Sequence, residues 1–168
     1  VFLYYGEELG MKGSGKDENK RAPMYWSKDG NAEGMCKGPA DMDDFRMKFD
    51  SLEEQQEDPD SIYNYVKQVI RVRNQNPVIA RGTTAYLEQY SGEQCFALTR
   101  SYEGSNLLLL GNTSAEAVSV DLTGLTVGGT TAEELVLLGE LYTGEETAER
   151  AGTVVTLPAY SILILGEE

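Results

Sequence analysis

The chain has 168 residues, with 28 acidic against 14 basic side chains, no histidine and a formal net charge of −14. That balance excludes nucleic acid and an anionic membrane surface as partners, since both are held through clustered Lys and Arg. A neutral substrate such as a sugar is not excluded, whereas a Ser-His or Cys-His catalytic unit and any His-ligated metal site are, within these residues.

The apolar fraction of 40% and charged fraction of 25% are those of a globular protein, enough for one ordinary domain or two small ones. The first run, Val1-Phe2-Leu3-Tyr4-Tyr5, is apolar without alternation. This pattern predicts a strand buried on both faces, as in a parallel sheet, and its lack of a basic n-region argues against a signal peptide. Gly6 ends the run, and a polar, glycine-rich loop extends to about Lys20. Residues 21–50 have little periodicity and read as a long excursion, a kind of segment that is commonly functional or mobile. Ser51-Leu52-Glu53-Glu54 has the spacing of a capping box and opens a short helix. A longer helix is expected from Asp58 as N-cap and Pro59 in the first turn. Its apolar face is Ile62, Tyr65, Val66, Val69 and Ile70, and Pro77 stops it near Asn76.

Beyond Gly82 the period changes to two. Strands are expected at 84–90, 94–102, 106–112, 117–122, 134–142, 153–157 and 160–165, separated by turn signals such as Glu103-Gly104-Ser105 and Gly128-Gly129. Seven short strands without an intervening helix predict an antiparallel sandwich of Greek-key type. The domain boundary falls at 77–82, giving domains 1–82 and 83–168. A buried parallel strand, a polar loop, an excursion and an amphipathic helix together make one βα unit. In a (β/α)₈ barrel such a strand would deliver Glu7 and Glu8 to the functional face.

Three segments carry a resemblance. Phe2-Leu3-Tyr4-Tyr5-Gly6-Glu7-Glu8-Leu9-Gly10-Met11 resembles the eighth barrel strand and following loop of the α-amylase family, glycoside hydrolase family 13. Asp17-Glu18-Asn19-Lys20-Arg21-Ala22-Pro23-Met24-Tyr25-Trp26 resembles that family's Arg-x-Pro-Met-x-Trp loop. Leu52-Glu53-Glu54-Gln55, Asp58-Pro59-Asp60-Ser61-Ile62-Tyr63 and Val69-Ile70-Arg71-Val72-Arg73 resemble its approach to the last barrel helix. The resemblance implies an α+β fold class: the remnant of the last βα unit of a (β/α)₈ barrel, then the all-β antiparallel sandwich. It also implies a parent enzyme that hydrolyses α-glucosidic bonds of starch or malto-oligosaccharides with retention. Exo-acting oligosaccharide α-glucosidase is the alternative within the class, and a non-catalytic carbohydrate-binding or packing module the alternative outside it.

A retaining enzyme needs two carboxyl groups about 5 Å apart across the scissile bond. The resemblance puts them on strands upstream of Val1, so no catalytic residue is expected in this chain and the chain alone is expected to be inactive. Glu7 and Glu8 are neighbours that point apart in extended backbone and cannot be the pair. Arg21, Glu8 and Glu7 are the expected substrate-binding residues: the planar guanidinium suits adjacent sugar hydroxyls, although Arg21 could equally pin the loop to Glu7 or Glu8. Trp26 is expected as a packing anchor rather than a sugar platform. Asp41, Asp43 and Asp44 lack the glycine and closing glutamate of an EF-hand loop and are expected to form a solvated acidic turn. No cofactor or metal is therefore expected in the chain, calcium being a matter for the parent barrel. The tyrosines after residue 83 are expected mostly in or near the core. The expected partner is the α-glucan substrate, with self-association through residues 1–5 as a further expectation. For localisation, the extracellular space is slightly favoured over the cytoplasm.

Overall fold

The computed structural model describes residues 2–167, an α+β chain whose ladders are all antiparallel. By its internal contacts the chain divides between Lys67 and Gln68, inside a helix, where the sequence places its boundary at 77–82.

In the second unit the strands are β1 Thr83–Tyr86, β2 Cys95–Tyr102, β3 Ser105–Asn112, β4 Val118–Asp121 and β5 Thr126–Val127. They continue with β6 Thr130–Thr131, β7 Val136–Leu141, β8 Glu149–Ala151, β9 Val154–Leu157 and β10 Ile162–Gly166. A five-stranded sheet has the order β1-β2-β3-β10-β7, a three-stranded sheet the order β4-β9-β8, and β5 pairs with β6 in a two-stranded ribbon. The β2–β3 hairpin turns through Glu103 and Gly104, both at positive φ (50° and 86°). That two-residue geometry matches the natural twist of the strands.

Alternation along β3 and β10 explains the layers. Leu108, Leu110, Leu163 and Leu165 face Val120 of β4 and Val155 and Leu157 of β9, and these form the main core. The intervening residues Leu107, Leu109, Ile162 and Ile164 face the other way. There they meet Val72 of α2 (Ile62–Gln75) and Val78 and Ile79 of α3 (Pro77–Arg81). With both faces covered, β3 and β10 read as continuous apolar runs rather than alternating ones. Arg100 of β2 fixes α3 in place, donating to the carbonyls of Val78 (3.4 Å) and Ile79 (2.7 Å) and to Thr84 Oγ1. A cation at a helix C-terminus also suits the helix dipole. Among the tyrosines, Tyr90 is buried, Tyr102 and Tyr142 are half-buried, and Tyr86 and Tyr160 are exposed.

In the first unit α1 (Leu52–Glu57) forms behind the expected capping box, with Ser51 and Glu54 satisfying each other. The start of α2 differs from expectation. Asp58 Oδ1 accepts from the Asp60 amide (3.0 Å) and closes a turn, while Ser61 Oγ accepts from the Asn64 amide (3.2 Å) and acts as the cap. Pro77 ends α2, as expected, but also opens α3 at its first turn. The expected apolar face of α2 is only half-buried, and Ile70 is exposed; on the sheet the contact is made by Val72.

The strand expected at residues 1–5 is not formed. Val1 lies outside the described residues; Phe2, Leu3, Tyr4 and Tyr5 are irregular and exposed, Phe2 fully so. A strand needs a neighbour for its amides and carbonyls, and among the described residues up to Lys67 there is no other strand. The chain instead turns at Gly6 (φ 87°) into a 3-10 turn, Glu7–Leu9, which ends at Gly10 (φ 61°). Gly10 is required twice over, because a Cβ there would meet Phe49 at 2.6 Å and Ile62 at 2.7 Å.

Candidate substrate cleft

A cleft of about 440 Å³ opens between the turn at Tyr4–Glu7 and a second 3-10 turn, Asp17–Arg21. Its wall includes Glu7, Asp17, Lys12, Lys20 and Arg21, so donors and acceptors of both charges face the same space. Such a mixed lining suits a polyol better than an ion.

The two edges are tied together by side chains whose partners are far apart in sequence. Tyr5 Oη donates to the Ala22 carbonyl at 3.0 Å; burial, more than the adjacent Tyr4, pushes its pKa up. Asn19, almost fully buried, is the hub of the Asp17–Arg21 side. Its amide donates to Asp43 Oδ2 (2.8 Å) and the Ser14 carbonyl (2.9 Å), and its Oδ1 accepts from the Asp43 amide (2.9 Å). Lys16 Nζ adds an ion pair to Asp43 at 2.8 Å. The hydrogen bond from Lys16, then that from Asn19, holds the Asp43 carboxyl below its ordinary range. On the opposite edge Gln55 donates to the carbonyls of Leu9 (3.0 Å) and Asp50 (2.7 Å) and accepts from the Tyr63 amide (3.0 Å). The turn carrying Glu7 is thereby bolted to α1 and to the start of α2.

Arg21 stands on the cleft wall with its side chain 54% exposed, and Nη2 contacts Asp17 Oδ2 at 2.8 Å, with Glu18 Oε1 at 3.9 Å. Its partners are thus acids of its own turn, not Glu7 or Glu8. Those two bond to backbone instead: Glu7 Oε2 accepts from the Tyr4 amide (3.1 Å) and Glu8 Oε2 from the Gly6 amide (2.9 Å). The pair lies in a 3-10 turn rather than extended backbone, and only Glu7 lines the cleft. The structure therefore brings Arg21 and Glu7 to one cavity and leaves Glu8 outside its lining.

Trp26 is 42% exposed and is no buried anchor. Its backbone does the packing: the carbonyls of Tyr25 and Trp26 accept from Leu52 (2.9 Å) and Glu53 (3.1 Å), satisfying free amides at the α1 N-terminus. The Asp41–Asp44 segment does not suit a cation, since Asp43 is already engaged by Asn19 and Lys16. Among the described residues no group of three or more His, Cys, Asp or Glu could hold a metal ion, and Cys36 and Cys95 are free thiols. Sequence reasoning missed Tyr5, Asp17, Asn19 and Gln55. Only Asp17 had a local signal, its i,i+4 spacing to Arg21.

Residues 1–82 match the family described as "Alpha amylase, catalytic domain". These residues belong to the α-amylase family. The whole chain superimposes on the solved structure of Amy13B from Eubacterium rectale with a TM-score of 0.90 and 41% identity, covering 100% of this chain and 31% of that one. Alpha-amylase 3 of Dictyoglomus thermophilum is 32% identical over 81 residues, 48% of this chain and 16% of that protein. Trehalose synthase of Thermus thermophilus is 27% identical over 131 residues, 71% of this chain and 14% of that protein. The chain therefore spans under a fifth of the length of these curated α-amylase-family relatives, and it corresponds to a C-terminal part of an amylase-like protein.

Proposed function

We propose that this chain is the C-terminal part of a longer retaining α-glucan hydrolase that acts on starch or malto-oligosaccharides. In this reading Arg21 and Glu7 contribute substrate contacts, while the catalytic carboxylate pair lies on the portion of the parent enzyme outside this chain. The observation that carries the reading is Arg21. Its guanidinium is held on one side by Asp17 at 2.8 Å yet stays exposed on the cleft wall, so further N–H donors face the cavity in a fixed plane. In the parent enzyme Arg21→Ala is expected to lower kcat/KM roughly tenfold to a hundredfold, the effect of losing hydrogen bonds of about 1–3 kcal/mol. An unchanged kcat/KM with a lowered melting temperature would make Arg21 a loop pin only. The 168-residue chain itself is expected not to hydrolyse soluble starch or a nitrophenyl α-glucoside; hydrolysis that survives repeated purification would place the active site within it.

A further inference from the structure

Arg21 carries its guanidinium on a 3-10 turn of only five residues, Asp17–Arg21, and a turn of that kind has little rigidity of its own. It is held from outside at two points. One lies directly after Arg21, where the carbonyl of the buried Ala22 accepts from Tyr5 Oη at 3.0 Å. The other lies two residues before it, at Asn19, which is 6% exposed. Gly13 packs so closely on this point that a Cβ there would stand 2.9 Å from the Asn19 carbonyl oxygen.

Asp43 grips Asn19 through two bonds at once. The Asn19 side-chain amide donates to Asp43 Oδ2 at 2.8 Å, and the Asp43 backbone amide donates to Asn19 Oδ1 at 2.9 Å. Paired bonds fix an orientation as well as a distance. Lys16 Nζ, 2.8 Å from Asp43 Oδ1, engages the other carboxylate oxygen. The Asp43 side chain is nevertheless 58% exposed, and the contacts of an exposed carboxylate add little to stability. What they supply is direction. Asp43 also stands outside the lining of the cleft, so it acts on a ligand there only through the turn that Asn19 belongs to.

We propose that Asp43 is a positioning residue for Arg21, fixing the turn so that the guanidinium meets the sugar in one orientation. This rests on the reading of Arg21 as a substrate contact in the parent enzyme. The acidic stretch 41–44 then has one member that serves substrate binding, through Asn19 rather than by touching the sugar.

The test is a double-mutant cycle in the full-length parent enzyme, with kcat/KM on maltoheptaose as the readout. Asp43→Ala is expected to lower kcat/KM about threefold to tenfold, a coupling usual for residues in one hydrogen-bond network. Added to Arg21→Ala it should lower the value no further, because the group it positions is already gone. Asp43→Asn keeps an oxygen for the Asn19 amide and should stay within about twofold of wild type, since the exposed ion pair it loses is weak. Asp44→Ala removes the same charge from the same exposed segment and should leave kcat/KM unchanged. All of these Asp variants are expected to keep the wild-type melting temperature. An undiminished kcat/KM in Asp43→Ala would overturn the proposal, as would a loss of equal size in the Arg21→Ala background or no recovery in Asp43→Asn. An equal loss in Asp44→Ala would mark a charge effect and overturn it too, and a lowered melting temperature with an additive loss would make Asp43 a fold anchor only. The underlying reading fails separately: if Arg21→Ala alone leaves kcat/KM unchanged, Arg21 is no substrate contact, whereas a costly Arg21→Ala beside a silent Asp43→Ala removes the positioning role alone.

Discussion

Replacing Gln55 by Glu tests what holds the Glu7 edge of the cleft. The side chain is 3% exposed, and its amide donates to two backbone carbonyls, of Leu9 and Asp50, while its oxygen accepts from Tyr63. Glutamate keeps the shape and the acceptor but turns the donor into a second oxygen facing two carbonyl oxygens. Leaving a buried polar group unpaired costs about 1–3 kcal/mol. With two carbonyls affected and some water entry, a loss of about 2–4 kcal/mol in local stability is expected at neutral pH. Among carbonyls and away from water the protonated form of the carboxyl is favoured, so the folded pKa lies above the unfolded value of about 4.3. The folded variant then binds more protons than the unfolded one. Its stability is greatest in acid and falls as the pH rises through that range. Amide hydrogen exchange reads this locally. At pH 7 the amides of Leu9, Gly10 and Met11, which bond to Gly6 and Glu7 carbonyls, should exchange roughly thirtyfold to several hundredfold faster. The amides of Leu108 and Leu165, in the sandwich, should not change. The deficit should shrink near pH 4, where a protonated Glu can donate to one carbonyl. Unchanged exchange at residues 9–11, or a deficit that grows in acid, would refute the reasoning.

Leu108→Ala should destabilise the sandwich by about 2–5 kcal/mol, because the side chain is fully buried between two sheets; urea unfolding monitored by circular dichroism measures it. The Glu54 carboxyl, lowered from 4.5 to about 2 by its hydrogen bond with Lys28 and then by Ser51, supports the folded state above the unfolded pKa. That support is lost as pH falls through about 2. A carbon-detected titration should find Glu54 ionised well below 4.5 in wild type and returned toward 4.5 in Lys28→Met.

Elements with local causes were legible. The capping box at Ser51, the stop at Pro77 and the seven strands set off by turn signals all depend on residues within a few positions of one another. The missed elements are short or conditional. β5, β6 and β8 are two or three residues long and carry no measurable period. α3 has no signal of its own, because Pro77 reads as the terminator of α2, although proline also suits a first helical turn. Residues 1–5 have strand composition, yet composition supplies no hydrogen-bond partner, and the described part takes an irregular path. In the cleft, Arg21 and Glu7 were visible through the motif they resemble. The side chains that place them were not: Asn19 meets Asp43, Gln55 meets Leu9, and Tyr5 meets Ala22. Each pair is separated by seventeen residues or more, beyond any periodic signal.

The position of β10 has a consequence for how the molecule is made. It lies between β3 and β7, with Leu163 opposite Leu110 on one side and Glu140 on the other. During translation β1, β2 and β3 can assemble as a meander as soon as Asn112 has emerged, but β7 has no place in that sheet until residue 166 is synthesised. At about 5–20 residues per second the open edge of β3 waits for a time on the order of seconds. Throughout that interval its row of leucines is the surface a chaperone, or a neighbouring nascent chain, would meet. The sheet is therefore closed by its last-made strand, and a chain broken off before Ile162 leaves β3 with a raw edge and β7 with no partner in that sheet.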